Sequence, residues 1–535
     1  MSGGLLLAML LLPMLGAAVV APMRTAPVAA KGTALLFALV ELVLAGVAWS
    51  AFQPGGGRLQ LTLSVPWIPA FGTRFALGVD GIALVMVALI AVLVPIVMGS
   101  SWAEKLPEGR TPAGFYAMLL ALESLLVGVF VSTDVFLFYL FFEVMLVPMY
   151  FLIGRFGGPR RQYAAVKFFL YSLLGGLVML ASVIGLFVVS GSRLGHGTFD
   201  WPALQRIAGT IPASTQIWLF LGFFIAFAIK APLVPFHTWL PDAGAEAPVG
   251  VGVLLVGVMD KVGIYGFLRY CLPLFPAASR TLAPLVLVLA IAGIIYAALL
   301  AVGQSDMKRF VAYTSVAHFG FIALGVFAFS TQAQAGAVLY MVNHGISTGM
   351  LFIVVGMLIA RGGSRLISDY GGVSALAPML AGMMLLAGLS ALALPGTNSF
   401  VSEFMVLIGS YPRQPVATVI GTTGIILAAL YVLWFYQRLM QGPVRGSAVT
   451  ENLIAGSAGA TLDGPGAATA PGVAPRHRIR FPDLSIREVA VLVPLVALIL
   501  LLGFFPQPVL NVITPSVGAT VTEVGLSDPV GQGGS

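Results

Sequence analysis

The sequence is short of what a water-soluble fold requires. Only 9% of its 535 residues are charged and 59% are hydrophobic, whereas soluble globular domains carry about 25% charged residues. So few charges cannot cover a water-facing surface, and lipid must cover much of it instead. There is one cysteine, Cys271. A lone thiol forms no intrachain disulfide and cannot hold an iron–sulfur cluster. No GxGxxG opens a strand-to-helix unit and no Walker motif occurs, so no nucleotide or redox centre is expected in this chain. The alternation of a transmembrane barrel strand is missing too. Segments such as Ile82–Val94 and Val491–Leu502 are apolar throughout, which favours helices. Met1–Met23 lacks the basic region that opens a signal peptide and reads as a retained first helix.

What is present is a series of apolar stretches long enough to cross a bilayer, about 20 residues each. Fourteen are expected, near 4–21, 33–51, 79–99, 114–131, 134–154, 162–190, 211–230, 247–270, 281–302, 309–329, 333–360, 373–410, 415–437 and 487–505. Net charge is +7, which points to orientation rather than nucleic acid, because the cations sit in short loops. Seventeen Lys and Arg fall in alternate loops starting with Arg24 and Lys31, seven fall in the opposite loops (Arg58, Arg74, Arg193, Arg206, Arg269, Arg280 and Arg413), and Lys167, Lys230 and Lys261 fall at or within spans. By the positive-inside rule the richer side is cytoplasmic and both termini lie outside. Leu59-Gln60-Leu61-Thr62-Leu63 alternates, so 58–76 reads as an outer β-hairpin. Residues 441–486, rich in Gly, Ala and Pro, read as a flexible cytoplasmic loop.

Ionisable side chains inside these spans carry the functional information, because each costs at least about 2.5–3.5 kcal/mol at the bilayer centre. Glu143 lies nine residues after Asp134 and twelve before Arg155, about 14 Å and 18 Å from the two ends. Lys261, His318 and His344 come out at similar depths, about 12–15 Å from the nearest end. Lys230 precedes Pro232 and Pro235, and Glu403 follows Pro395-Gly396. Helix breaks of this kind are tolerated where backbone lines a polar cavity. Spans 4–8 and 9–13 form two blocks of five, so the second block runs inverted, and both breaks fall in the fourth span of a block. Matched breaks in inverted repeats mark a transport path. The organisation expected is therefore an all-α polytopic membrane protein. It comprises three N-terminal spans with the hairpin (1–113), two inverted five-helix repeats (114–272 and 281–440), the loop 441–486, and a last span with an outer tail (487–535).

A buried lysine loses its proton more readily than a free one, and a carboxylate nearby restores it. Moving Glu143 relative to Lys230 is thus a way to load and unload a proton. Glu143, Lys230, Lys261, His318, His344 and Glu403 are the candidate proton-transfer residues. Glu123, Lys167, His237 and Asp260 are possible accessories. Asp260 points about 100° away from Lys261 on a helix and is the weaker of that pair. Bland readings exist for each: buried ion pairs for Glu143 and the lysines, an architectural pair for Glu123 and Lys167, interhelical hydrogen bonds for the histidines. Helix capping would account for His237, Asp242 and Glu246, and Asp306 reads as the tie of the Gln304–Arg309 turn.

These residues sit in recognisable strings. Phe141-Phe142-Glu143-Val144-Met145-Leu146-Val147-Pro148-Met149-Tyr150 resembles the glutamate motif of the antiporter-like subunits of respiratory NADH:quinone oxidoreductase. Arg161 to Tyr171, Pro235-Phe236-His237-Thr238-Trp239-Leu240-Pro241-Asp242-Ala243 and Asp306 to Ser315 are similar to three further segments of that family. Pro395-Gly396-Thr397-Asn398-Ser399-Phe400-Val401-Ser402-Glu403-Phe404 is similar to the M-type chains, which have glutamate where L- and N-type chains have lysine. The resemblance covers spans 3–13. It implies that Glu143 pairs with Lys230, that Lys261 is the central relay, that His318 and His344 continue it, and that Glu403 leads outward. It also implies L- and N-type neighbours, a bacterial inner (plasma) membrane, and NADH, FMN, iron–sulfur clusters and quinone on partner subunits. Two positions depart from the family pattern. Gly244 stands where many relatives have histidine, and Asp260 where an apolar residue is usual. An Mrp-type cation/proton antiporter subunit and a passive scaffold subunit are the alternative readings.

Overall fold

The computed structural model describes residues 2–450 and 481–529. Most of the loop expected at 441–486 lies outside these residues. The helices long enough to span are α1 (Ser2–Val20), α2 (Pro27–Ala51), α3 (Gly81–Ser100), α4 (Pro112–Val131), α5 (Val135–Phe156), α6 (Arg161–Leu194), α7 (Ala213–Lys230), α9 (Val249–Leu274), α10 (Pro276–Val302), α11 (Met307–Phe327), α12 (Thr331–Gly362), α15 (Pro415–Met440) and α16 (Ile486–Phe504). Between them lie a short α8 (Trp239–Glu246) and the pair α13 (Pro378–Ala391) and α14 (Asn398–Ser410). The apolar stretch 373–410 is thus two half-helices, and counted as one span they bring the thirteen long apolar helices among the described residues to the expected fourteen. Strands β1 (Gln60–Ile68) and β2 (Thr73–Val79) pair antiparallel between α2 and α3.

Short polar side chains set where helices begin. Asp80 accepts from the Ala83 N–H, Asp134 from Phe136 and Leu137, Asp306 from Lys308 and Arg309, and Ser330 from Ala333. Each satisfies backbone donors that the first helical turn leaves unpaired. Burial then sorts the helices. α9 is enclosed along its length and α11 and α12 nearly so, while α2, α15 and α16 keep most of their surface outward. The outward residues are apolar, among them Val28, Trp218, Val416 and Ile426, as a lipid-facing shell demands. The three innermost helices carry Lys261, His318 and His344.

One expectation needs correction, that of Arg269. The tail after the last span contains a helix, α17 (Gln507–Glu523), which packs over α3 and α12. It is pinned by Arg58, which pairs with Glu523 at 3.3 Å and donates to Thr520 Oγ1 at 2.9 Å. Arg269 is no loop residue. It sits 1% exposed within α9, paired with Asp80 at 2.9 Å and stacked over Trp201. A charge bias counted along the chain cannot tell a loop cation from one folded inward against an acid.

Candidate proton-transfer site

The first helix break leaves Lys230 at the carboxyl end of α7, where the helix dipole favours a cation. Pro232 cannot donate to Ala228, so the Leu233 N–H takes that carbonyl at 2.9 Å, and the Trp239 indole donates to the Ile229 carbonyl at 2.9 Å. The Ala228 and Ile229 carbonyls at the break thus have partners, and α8 is docked by its first residue. The Lys230 Nζ lies 3.5 Å from Ser172 Oγ and 5.3 Å from the centroids of Phe142 and Phe168. Glu143 packs its carboxyl against Gly176, four residues beyond Ser172 on α6, where a Cβ would strike it. Glu143 and Lys230 are electrostatic neighbours, but among the described residues they make no direct ion pair. Ser172 and Gly176 on α6 are what each of them touches.

The centre of the site is on α9, α11 and α12. The Lys261 Nζ lies 2.7 Å from His344 Nδ1, donates to the Val256 carbonyl and sits 5.2 Å from the Phe319 ring. The Val256 carbonyl belongs to a π-helical turn, Leu255–Met259, of the kind that clusters at functional sites. The His344 ring stands edge-on to that of His318, centroids 5.3 Å apart and planes at 82°. His318 meets Tyr340 at 5.9 Å between ring centroids and Tyr431 OH at 3.5 Å from Nε2. Tyr340 OH then donates to Glu403 Oε2 at 2.9 Å. Lys261, His344, His318, Tyr340 and Glu403 thus form an unbroken series of neighbours, all at most 5% exposed.

The second break, 392–397, ends beside this series. Ala393 and Gly396 take φ of 60° and 93°, breaking the helix between α13 and α14. A buried polar knot closes it: Ser347 and Ser390 both donate to Asn398 Oδ1, at 3.0 and 2.7 Å, and Asn343 donates to the Asn398 carbonyl at 2.7 Å. Asn343 and Ser347 flank His344 on α12, so the knot that fixes the break also fixes the helix turn bearing the histidine.

Of the accessory residues, Asp260 adjoins Lys261 in the chain, and the other three lie outside the series. Lys167 is tied to Asp242 at 2.7 Å, and Arg309 holds the other oxygen of Asp242 at 2.7 Å. Asp242 is thus the centre of an ion triad rather than a cap, and Lys167 pairs with it and not with Glu123. Burial alone would raise the Asp242 acid, but Lys167 and Arg309 outweigh it and hold the carboxyl below its usual range. Glu246 binds Arg365 at 3.2 Å and accepts from the Arg160 N–H at 3.0 Å, at the start of α6. Glu123 is buried near Glu41 of α2, and His237 packs its ring against Tyr296 and Tyr313. Tyr340 and Tyr431 were missed from sequence. Tyr340 precedes His344 by four residues, the spacing that puts two side chains on one helix face, and that signal was available.

The family described as NADH:quinone oxidoreductase/Mrp antiporter, TM matches residues 132–428. The NADH-quinone oxidoreductase subunit M of Mycobacterium tuberculosis H37Rv is 44% identical over 531 residues, covering 94% of this chain and 90% of that one. Subunit M of Escherichia coli K12 is 38% identical, covering 86% and 85%. Among solved structures, a chain of respiratory complex I from Thermus thermophilus superposes with TM-score 0.81 at 29% identity, covering 97% of this chain and 100% of that one. A chain of the Mrp complex from Dietzia sp. DQ12-45-1b shares the fold at TM-score 0.77 and 21% identity, covering 96% of this chain and 52% of that one.

Proposed function

The chain belongs to the NADH:quinone oxidoreductase/Mrp antiporter transmembrane family, and we propose that it is the M-type, proton-translocating membrane subunit of NADH:quinone oxidoreductase. In this role it performs no redox step. Electrons pass from NADH to quinone on partner subunits that carry FMN and iron–sulfur clusters, and this chain converts the energy released into proton movement. L- and N-type antiporter-like subunits are its neighbours in a bacterial inner membrane, with both termini outside.

The observation that carries this reading is the buried series from Lys261 on α9 through His344, His318 and Tyr340 to Glu403, beside the second helix break. Lys230 and Glu143 form the second charge site, on the far side of α9. An approach of the Glu143 carboxylate stabilises the Lys230 ammonium, and its withdrawal frees the proton. Moving that proton against a membrane potential costs about 2.3 kcal/mol per charge per 100 mV, which the redox partners supply.

Inverted membrane vesicles carrying the whole complex test the proposal. E143Q and K230A are expected to lower proton uptake per NADH oxidised. Uptake at the parent ratio in both variants would make the buried charges architectural and the chain a passive scaffold. Sodium-dependent proton exchange without NADH would instead favour the Mrp-type reading.

A further inference from the structure

α9 is clamped on two sides by backbone contacts that bracket residues 260 and 261. Toward α12, Gly257 and Gly345 meet so closely that a methyl on Gly345 would stand 2.7 Å from the Gly257 carbonyl oxygen. One turn on, Lys261 reaches His344. Toward α7, a methyl on Gly263 would stand 2.5 Å from the Ala231 nitrogen, so no side chain separates α9 from the end of α7, and Lys230 is the residue before Ala231. Asp260 precedes Gly263 by three residues and therefore shares its helix face. Asp260 is fully buried, and neither carboxylate oxygen has a hydrogen-bond partner among the described residues. Its electrostatic neighbours are Lys261 and Lys230. The Asp260 N–H donates to the Leu255 carbonyl at 3.1 Å, closing the π-helical turn that the Lys261 ammonium also binds.

We propose that Asp260 is a proton-carrying group that joins Lys230 to Lys261, making one path of two charge sites that otherwise stand on opposite sides of α9. The proposal rests on the proton-translocating reading above. In the first step the Lys230 ammonium gives up a proton: an N–H bond breaks, an O–H bond forms on Asp260, and both groups become neutral. In the second step that O–H breaks as the neutral Lys261 amine takes the proton, and the carboxylate returns. Each transfer creates or removes a buried pair of opposite charges, so neither leaves a lone charge in a low-dielectric core.

The test uses the complete complex in inverted vesicles, reading proton uptake per NADH oxidised. D260N keeps the shape and carries no proton, and it is expected to cut uptake about tenfold or more, with D260E restoring most of it. D260N at the parent ratio, while E143Q and K230A remain impaired, overturns the role of Asp260 and leaves the broader proposal standing. Parent-like uptake in all three variants removes both. If D260N prevents assembly, D260E decides. A pH profile of uptake displaced from that of the parent supports proton carriage, and a parent profile assigns Asp260 to charge balance and overturns the proposal.

Discussion

Tyr340 donates its hydroxyl to Glu403 at 2.9 Å while its ring lies 5.9 Å from that of His318. One phenol therefore links the histidine pair to the Glu403 carboxyl. Y340F keeps the ring and removes the only proton it can pass. Translocation is expected to fall about a hundredfold where no other group bridges the gap, with NADH oxidation in detergent changed much less. Equal proton-to-NADH ratios in Y340F and parent would place the route elsewhere, beginning with Tyr431.

Lys261 can serve only if it gives its proton away. An arginine in its place holds its charge at every physiological pH and can still donate to His344. K261R is therefore expected to assemble and to lose translocation by about a hundredfold or more, measured as acidification of inverted vesicles. Translocation within about twofold of the parent would mean that position 261 supplies a fixed charge.

Trp239 fixes the first break through a single bond to the Ile229 carbonyl. W239F leaves that buried carbonyl without its donor, at a cost of about 1–3 kcal/mol. The purified complex should show reduced thermal stability of this subunit, scored by its dissociation on heating. An unchanged dissociation temperature would mean that the prolines alone hold the break.

Asp242 yields a pH prediction with a definite sign. Its carboxyl is held below the usual range in the folded chain, so its ion triad adds stability above the unfolded value, near pH 3.9. That contribution is lost as pH falls through the lower, folded value. D242N should cost about 1 kcal/mol at pH 7, and the gap between variant and parent should narrow as the pH falls below the unfolded value. A gap that persists undiminished in acid would assign the loss to packing.

Much of this architecture was legible because apolar length is nearly sufficient to find a membrane helix, and Pro232, Pro235 and Pro395 announce where two of them fail. The buried charges were legible for the same reason, since a Glu or Lys amid twenty apolar residues stands out. What escaped was partnership. Nothing in the spacing of Arg269 reveals that Asp80, 189 positions earlier, waits to neutralise it. Tyr340 and Tyr431 escaped because a tyrosine in an apolar run resembles ordinary core. Gln507–Glu523 was read as tail because its polar residues lower its hydropathy, although it packs on α3 and α12 as an amphipathic cover.

The meeting of Gly257 with Gly345 has a consequence for how faithfully the machine keeps its dimensions. Where main chain rests on main chain, no flexible side chain lies between to be compressed or swapped, so the gap between α9 and α12 behaves as a fixed gauge. Changes in the thickness or composition of the surrounding bilayer would then tilt the two helices together, leaving the 2.7 Å between Lys261 and His344 as it was.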